Sequence, residues 1–432
     1  MTQESIGTPR HTGSIVVLLA TTGIMWFGFF MMMPLLAVHI TDDLMLGATI
    51  AGVVLAVRQF VQFGLGLFAA ALSDWAGYRL MMMLGMLIRA AGFFWLAFAS
   101  DVLTLILSAS VSAIGGAFFD SSGKAALASL SKGYKKETIF SLNGTIGNLG
   151  MSTGPLAGIA LLSVNFTTVG IISAAMYIIN FVVLLLFVPS IATVGDKSKR
   201  GLGQMFSNIG TVWHDRPFVI ITVLLVGYYS IYSQINITLP LVSTKLSGSE
   251  DGISYVYLIN SGLNIALQFL VIRMLARFFK PLTLIGLGTL VAGVGMFLVS
   301  FAGSFIFLLF CVVLYALGRL VVEPMVAVLV SDYASEATMA SYFGFSSLAM
   351  GFGGVFGSFL GGFLYDVGLQ NNLPGLCWWF FGILGVVVMV GVAIFQKRER
   401  MPAEIAQPEP FATRIETSRA TLEVSTASPD LD

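Results

Sequence analysis

Twelve stretches of this 432-residue chain are apolar for long enough to cross a lipid bilayer. A helix rises about 1.5 Å per residue, so about 20 apolar residues span a hydrocarbon core of about 30 Å. The stretches lie at 15–38, 48–72, 79–99, 102–124, 139–163 and 168–188, then at 218–241, 253–276, 282–301, 304–330, 341–365 and 375–396. In lipid, backbone groups find no water, and runs of this length satisfy them only as helices. The expected fold is an all-α membrane protein with twelve transmembrane helices. Hydrophobic residues make up 57% of the chain and charged residues 10%, which excludes an ordinary soluble domain.

The charges that remain balance, 22 basic against 22 acidic, so net charge points to no nucleic-acid partner. Their placement is more informative. Arg10, Arg79, Lys132, Lys135, Lys136, Arg277, Lys280, Lys397, Arg398 and Arg400 fall at one side of the spans. Asp42, Asp43, Asp101, Glu250, Asp251 and Asp366 fall at the other, where Lys245 is the one clear basic residue. Basic loops stay in the cytoplasm, so both termini are expected there. Three scattered histidines (His11, His39 and His214) and two cysteines in apolar runs (Cys311 and Cys377) fit neither a metal site nor a disulfide framework. No hydrolase, metalloprotease or phosphate-loop motif is present, so the chain is not read as an enzyme and no cofactor is expected.

The stretch 190–217 carries Lys197, Lys199, Arg200, Asp215 and Arg216 and reads as a cytoplasmic connector. It separates an N-terminal six-helix bundle (1–189) from a C-terminal one (218–396). The tail 397–432 is rich in Glu, Pro, Ser and Thr and is expected to be disordered. The halves repeat. A shift of 203 residues takes Gly115 to Gly318, Asp120 to Glu323, and Gly150, Gly154 and Gly158 to Gly353, Gly357 and Gly361. A shift of 206 takes Pro34 to Pro240. Parallel halves of this kind place a substrate site between them near mid-membrane.

A charge at mid-membrane costs about 2.5–3.5 kcal/mol on insertion scales, which makes each a functional candidate. Arg58 lies mid-way along the second span with Gln62 one turn on, and Arg89 lies mid-way along the third. These are expected in a cavity, binding an anionic group or tuning a nearby acid. Asp120 and Lys124, and Arg319 and Glu323, are pairs four apart on one helix face. Two readings stand: ion pairs that hold or gate the halves, or acids that exchange a proton during transport. Asn260, Asn264 and Gln268 form a polar stripe on the eighth span. Ser230, Gln234 and Thr238 form another on the seventh, beside Tyr228 and Tyr232. Such groups either bond neighbouring helices or line a wet cavity.

Gly150, Gly154 and Gly158 stack on one helix face, which lets a neighbouring helix approach closely, and Pro155 removes a backbone donor. The pattern G-x-x-x-G-P-x-x-G resembles the span-five antiporter motif of drug:H+ exporters in the major facilitator superfamily. The loop from Ala70 to Arg79 resembles that superfamily's signature G-x-x-x-D-R-x-G-R-[RK]: Asp74, Gly77 and Arg79 match, while Ala70, Trp75 and Tyr78 depart. The segments Gly28-Phe29-Phe30, Pro34-Leu35, Arg58-Gln59-Phe60, Gly64-Leu65-Gly66, Arg89-Ala90-Ala91-Gly92-Phe93 and Gly115-Gly116-Ala117-Phe118-Phe119-Asp120 extend the resemblance to its multidrug exporters. The resemblance implies coupling of the halves by Asp74 and Gly77. It also implies a bacterial inner-membrane exporter of amphipathic small molecules working against protons. Because this chain departs from the family at its usual coupling positions, coupling is expected to rest on Asp120, Glu323 or Asp74, or on another scheme. Two departures are an acid-free first half of span one (Ala20-Thr21-Thr22-Gly23) and no arginine before the glycines of span four. The expected partners are a small-molecule substrate, protons and the lipid bilayer, for a monomer. The alternatives are an importer or exporter of one metabolite or siderophore on the same fold and, remotely, a non-transporting membrane scaffold.

Overall fold

A computed structural model describes residues 10–130, 136–188, 212–334 and 339–398. Lys132, Lys135, connector residues 190–211, the tail from 399 and the side chains of Asp74, Trp75 and Lys136 lie outside what is described.

The described residues form twelve helical rods. Span one is Arg10–Val38, closed by a π-turn at His39–Asp43. Span two is Gly47–Gly64 continued by Gly66–Ala76. Spans three to six are Tyr78–Leu96, Val102–Leu130, Lys136–Leu162 and Phe166–Phe187. Span seven is Arg216–Tyr232, a 3-10 turn at Ser233–Asn236, then Thr238–Ser247. Spans eight to twelve are Asp251–Leu275, Pro281–Val299, Phe305–Tyr333, Met339–Gln370 and Leu376–Arg398. Ten of the rods are long and apolar enough to cross a membrane. The other two, spans five and eight, are long as well and carry amides and hydroxyls along their length: Asn143, Asn148, Ser152 and Thr153, and Asn260, Ser261, Asn264 and Gln268.

Small residues explain which rods touch. In span five, a side chain on Gly150 would meet Phe27 N at 2.8 Å, and one on Gly154 would meet Phe27 O at 2.8 Å. One on Gly158 would overlap the Met31 carbonyl. The glycine face therefore lies directly on the backbone of span one, as the spacing predicts. The helix runs unbroken through Pro155.

The same contact recurs 203 residues on. Gly353 meets Val226 and Tyr229, Gly357 meets Ser230, and Gly361 meets Gln234. These are the counterparts of Gly23, Trp26, Phe27 and Met31 in span one. Spans three and four repeat in spans nine and ten: Gly85 packs on Gly115 as Gly288 packs on Gly318, and Gly92 on Ser112 as Gly295 on Tyr315. The halves are thus two six-helix bundles with one internal packing scheme.

They meet along two seams. Span two lies along span eleven, where Gln59 Nε2 donates to Ser358 Oγ at 3.1 Å and Phe60 sits against Phe352. Span five lies along span eight. At the end away from the termini, Asp366 of span eleven accepts from Ala48 N (3.1 Å), Thr49 N (2.6 Å) and Thr49 Oγ1 (2.6 Å). That carboxylate caps span two, whose first amides have no helical partner.

Candidate functional site

The polar residues of the N-terminal bundle gather around the ring of Phe29 in span one. Arg58 and Arg89 approach it from spans two and three, with their guanidinium carbons 4.8 and 5.1 Å from its centroid. Arg89 also lies 5.3 Å from the Tyr177 ring and 6.0 Å from that of Phe93. Arg58 Nη1 donates to Gln62 Oε1 at 2.8 Å, and Gln62 Nε2 donates to Asp120 Oδ2 at 2.8 Å. Helical spacing puts Gln62 beneath Arg58, and close packing of span two on span four brings in Asp120. Gly116 makes room: a side chain there would meet Arg89 Nη1 at 2.8 Å and the Gln62 amide carbon at 3.1 Å.

Arg58 and Arg89 are both buried, and their Nε atoms, with Arg89 Nη1, have no hydrogen-bond partner among the described residues. A cation–π contact contributes about 0.5–2 kcal/mol. Desolvating a guanidinium costs several kcal/mol. The three rings around Arg89 offset part or all of that cost, and two of its donors stay without a partner among the described residues.

In the C-terminal bundle, Arg319 Nε meets Glu323 Oε1 at 3.2 Å. Arg319 is 4% exposed and Glu323 39%, because Glu323 lies one turn nearer the end that carries the termini. The Arg319 guanidinium sits 4.7 Å from the Tyr232 ring centroid. Its Nη1 reaches across to Met151 Sδ of span five at 3.8 Å, and Asn260 Nδ2 reaches the same sulfur at 3.5 Å. Asn264 Nδ2 bonds the Asn260 carbonyl at 2.6 Å. Phe30 and Tyr257 close this middle layer across the halves, their centroids 5.5 Å apart.

The structure thus joins Arg58, Gln62, Arg89 and Asp120 in one cluster, and Tyr232, Asn260, Arg319 and Glu323 in a second. Tyr228 is buried beside Tyr232, with their rings 6.4 Å apart. Gln268 is half-buried two turns from Asn260 on the same helix. Gln234 is placed differently. Its Nε2 donates to Gly357 O at 2.8 Å and its Oε1 accepts from Thr238 at 3.0 Å, so the amide ties span seven to span eleven. Gly77, with φ +97°, joins the end of span two to the start of span three in a conformation that side chains disfavour. Arg79 Nη2 donates to Leu185 O of span six at 2.6 Å. Asp74 lies in the last turns of span two, and its side chain is outside what is described.

Met151 and Phe29, which touch the two clusters, and Gln59 and Asp366, which join the bundles, are contacts that the candidates read from the sequence do not include. A glutamine inside an apolar run is a usable signal for Gln59. A methionine and a phenylalanine in a membrane helix carry none. A cleft of about 590 Å³ opens at the end away from the termini, lined among others by Asp42, Lys245, Glu250 and Asp366. None of the candidates from the middle of the spans lines it. Among the described residues no group of His, Cys, Asp or Glu could hold a metal ion.

The sequence profile of the Major Facilitator Superfamily matches residues 18–346 and again 233–426. The multidrug resistance protein MdtH of Yersinia enterocolitica is 31% identical over 367 residues, covering 84% of this chain and 90% of the relative. MdtH of Photorhabdus laumondii is 30% identical over 364 residues, covering 84% and 89%. Among solved structures, the nucleoside transporter NupG superposes with a TM-score of 0.74 at 15% identity, over 88% of this chain and 99% of that one. A peptide transporter of the POT family in complex with sulfate superposes at 0.73 and 16% identity, over 91% and 96%. These last two likenesses are of fold.

Proposed function

The chain belongs to the major facilitator superfamily, and from that premise we propose that it exports amphipathic, drug-like small molecules across the bacterial inner membrane in exchange for protons. The observation that carries the proton part is the pair of acids at repeat-related positions. Asp120 is tied through Gln62 to Arg58, and Glu323 directly to Arg319. Asp120 bonds Gln62 of span two, which lies along the seam with span eleven, and Glu323 is partly exposed. Glu323 loosens its hold on Arg319 when it takes a proton, which changes what the arginine can bind, and Asp120 acts on Arg58 only through Gln62. The relatives named as multidrug resistance proteins support export of drug-like compounds. Aromatic rings beside amides in both bundles suit amphipathic molecules.

In this reading 1–189 and 218–396 rock about the site, 190–217 links them, and 397–432 is a cytoplasmic tail. Both termini face the cytoplasm, and the protein works as a monomer. The bonds of Asp366 tie the two bundles together at the end away from the termini, and in this reading they must break when that end opens. Gln234 works as a brace between spans rather than as a cavity residue, and Gly77 and Arg79 fix the turn that follows Asp74.

The test is accumulation of labelled drugs in inside-out vesicles under an imposed proton gradient, with and without a protonophore. Accumulation that collapses with the gradient, and is abolished by Asp120→Asn or Glu323→Gln, is expected. Uptake only in right-side-out vesicles reverses the direction. Unchanged coupling in both variants removes these acids from the mechanism.

A further inference from the structure

The two seams between the bundles are closed by different chemistry. Along spans two and eleven, Gln59 donates to a hydroxyl oxygen, that of Ser358. Gly354 leaves space for it, since a side chain there would overlap the Gln59 amide. The residue 203 positions before Gly354 is Met151, in the seam between spans five and eight. Here two buried donors, Arg319 Nη1 and Asn260 Nδ2, converge on a thioether sulfur at 3.8 and 3.5 Å. A thioether is a weak acceptor on a flexible side chain. Beside it, Asn260 Oδ1 and the Tyr228 hydroxyl have no hydrogen-bond partner among the described residues, and Asn260 is fully buried. Buried groups of this kind are costly to leave unpaired. The Tyr232 ring covers one face of the Arg319 guanidinium, and Phe30 and Tyr257 add apolar ring surface in the same layer.

We infer that Met151 Sδ occupies the place of a substrate carbonyl oxygen, and that the substrates recognised here are uncharged aromatic amides and their close relatives. The inference deepens the export reading and rests on it. One oxygen in the sulfur's place accepts from both Arg319 Nη1 and Asn260 Nδ2. An N–H next to that carbonyl finds its acceptor in Asn260 Oδ1. The flat remainder of the molecule lies among the rings. Charge sets the choice between an amide and a carboxylate. Arg319 is already balanced by Glu323 at 3.2 Å, so a carboxylate adds an unbalanced negative charge in a buried layer. A neutral carbonyl does not. Met151 is suited to leave, because its unbranched side chain changes rotamer readily.

The test is equilibrium dialysis against the full-length protein in lipid nanodiscs, with empty discs subtracted. The probes are 2-naphthamide, which has the carbonyl and the N–H, and 2-isopropenylnaphthalene, which has the same shape and neither. Asn260→Leu is expected to weaken naphthamide binding about tenfold, the loss expected for about 1.4 kcal/mol of hydrogen bonding, and to leave the hydrocarbon unchanged. Met151→Leu keeps the volume and removes the competing acceptor. It is expected to tighten naphthamide binding several-fold, a gain that misfolding does not produce. Absence of naphthamide binding, equal losses for both probes in Asn260→Leu, or no gain in Met151→Leu overturns the inference. Dialysis uses no gradient, so the two readings fail separately. Gradient-driven drug export without amide discrimination overturns this inference alone. Amide discrimination without export in vesicles overturns the export reading.

Discussion

Gln62 holds a carboxylate with its amide nitrogen and a guanidinium with its amide oxygen, so one side chain sets the geometry of two charges. Replacing it by leucine keeps the volume and removes both bonds. A buried group left short of a partner costs about 1–3 kcal/mol, and more when it is charged, with Asp120 at the lower end because it is only half-buried. Gln62→Leu should therefore lower the melting temperature of the purified protein by several degrees and reduce export. An unchanged melting temperature would mean that water takes over both bonds. At the far end, Asp101 caps span four. The Thr104 hydroxyl, with backbone amides, holds its carboxyl below the usual carboxylate range. A depressed folded-state value means stability that is complete above the unfolded value and lost as pH falls through the folded one. Asp101→Ala should thus lower the melting temperature at neutral pH, with the gap closing as the pH is taken down through and below the carboxylate range. A gap that does not depend on pH would refute the charge argument. The spacing of Arg58 and Gln62 was legible in the sequence, because four residues along a helix make a face. Asp120 as the third member was not, because it depends on how spans two and four pack. The stripe at Gln234 was legible for the same reason, while its bond to the Gly357 carbonyl belongs to tertiary structure.

Glycine decides where whole helices lie. The stripe of span five was readable because lipid rewards close backbone approach at small residues and little else. The identity of its partner, span one, was not readable, since any smooth helix could have filled the groove. A side chain on Gly158 has nowhere to go but the Met31 carbonyl, and one on Gly154 meets backbone atoms at 2.8–3.0 Å. Backbone cannot step aside as a rotamer can, so the helices must part. Gly158→Val should cost about 1–3 kcal/mol or more by overpacking, seen as poor yield of folded protein and a lowered melting temperature. Gly144, on the same helix, has open space where a methyl group would sit, with no neighbouring atom within 4 Å. Gly144→Ala should be neutral or stabilising by about 0.5–1 kcal/mol through helix propensity. Equal effects at both positions would show that the stripe is not a packing surface. The breaks in spans two and seven were harder to foresee. Leu65 interrupts span two between two glycines, and Pro240, which offers no donor, follows the 3-10 turn of span seven.

At the scale of the whole molecule, the repeat was legible because glycines and acids recur at one spacing, and the structure turns that spacing into matched contacts. Which end of the molecule carries a polar tie between the bundles has no signature in a repeat, since both ends are built from the same elements. It depends on single residues that break the symmetry, and Asp366 is one of them. Its carboxylate crosses from one bundle to the other with three hydrogen bonds at the start of span two. Alternating access requires these bonds to break when that end opens. A bond to a charged group is worth about 1.5–3 kcal/mol, and about 1.4 kcal/mol moves a two-state balance tenfold. Asp366→Ala should therefore raise the population open at this end about tenfold or more. Asp366→Asn, which keeps one acceptor oxygen, should raise it less. Spin labels at Asp43→Cys and Leu369→Cys sit on exposed residues of opposite bundles beside the cleft, and the buried Cys311 and Cys377 would first be replaced. Double electron–electron resonance should show a longer distance gaining weight in the order wild type, Asn variant, Ala variant. Identical distributions in all three would mean that the latch is a passenger, and that glycine packing of span two on span eleven, around Gly52 and Gly362, holds the bundles together at that end without it.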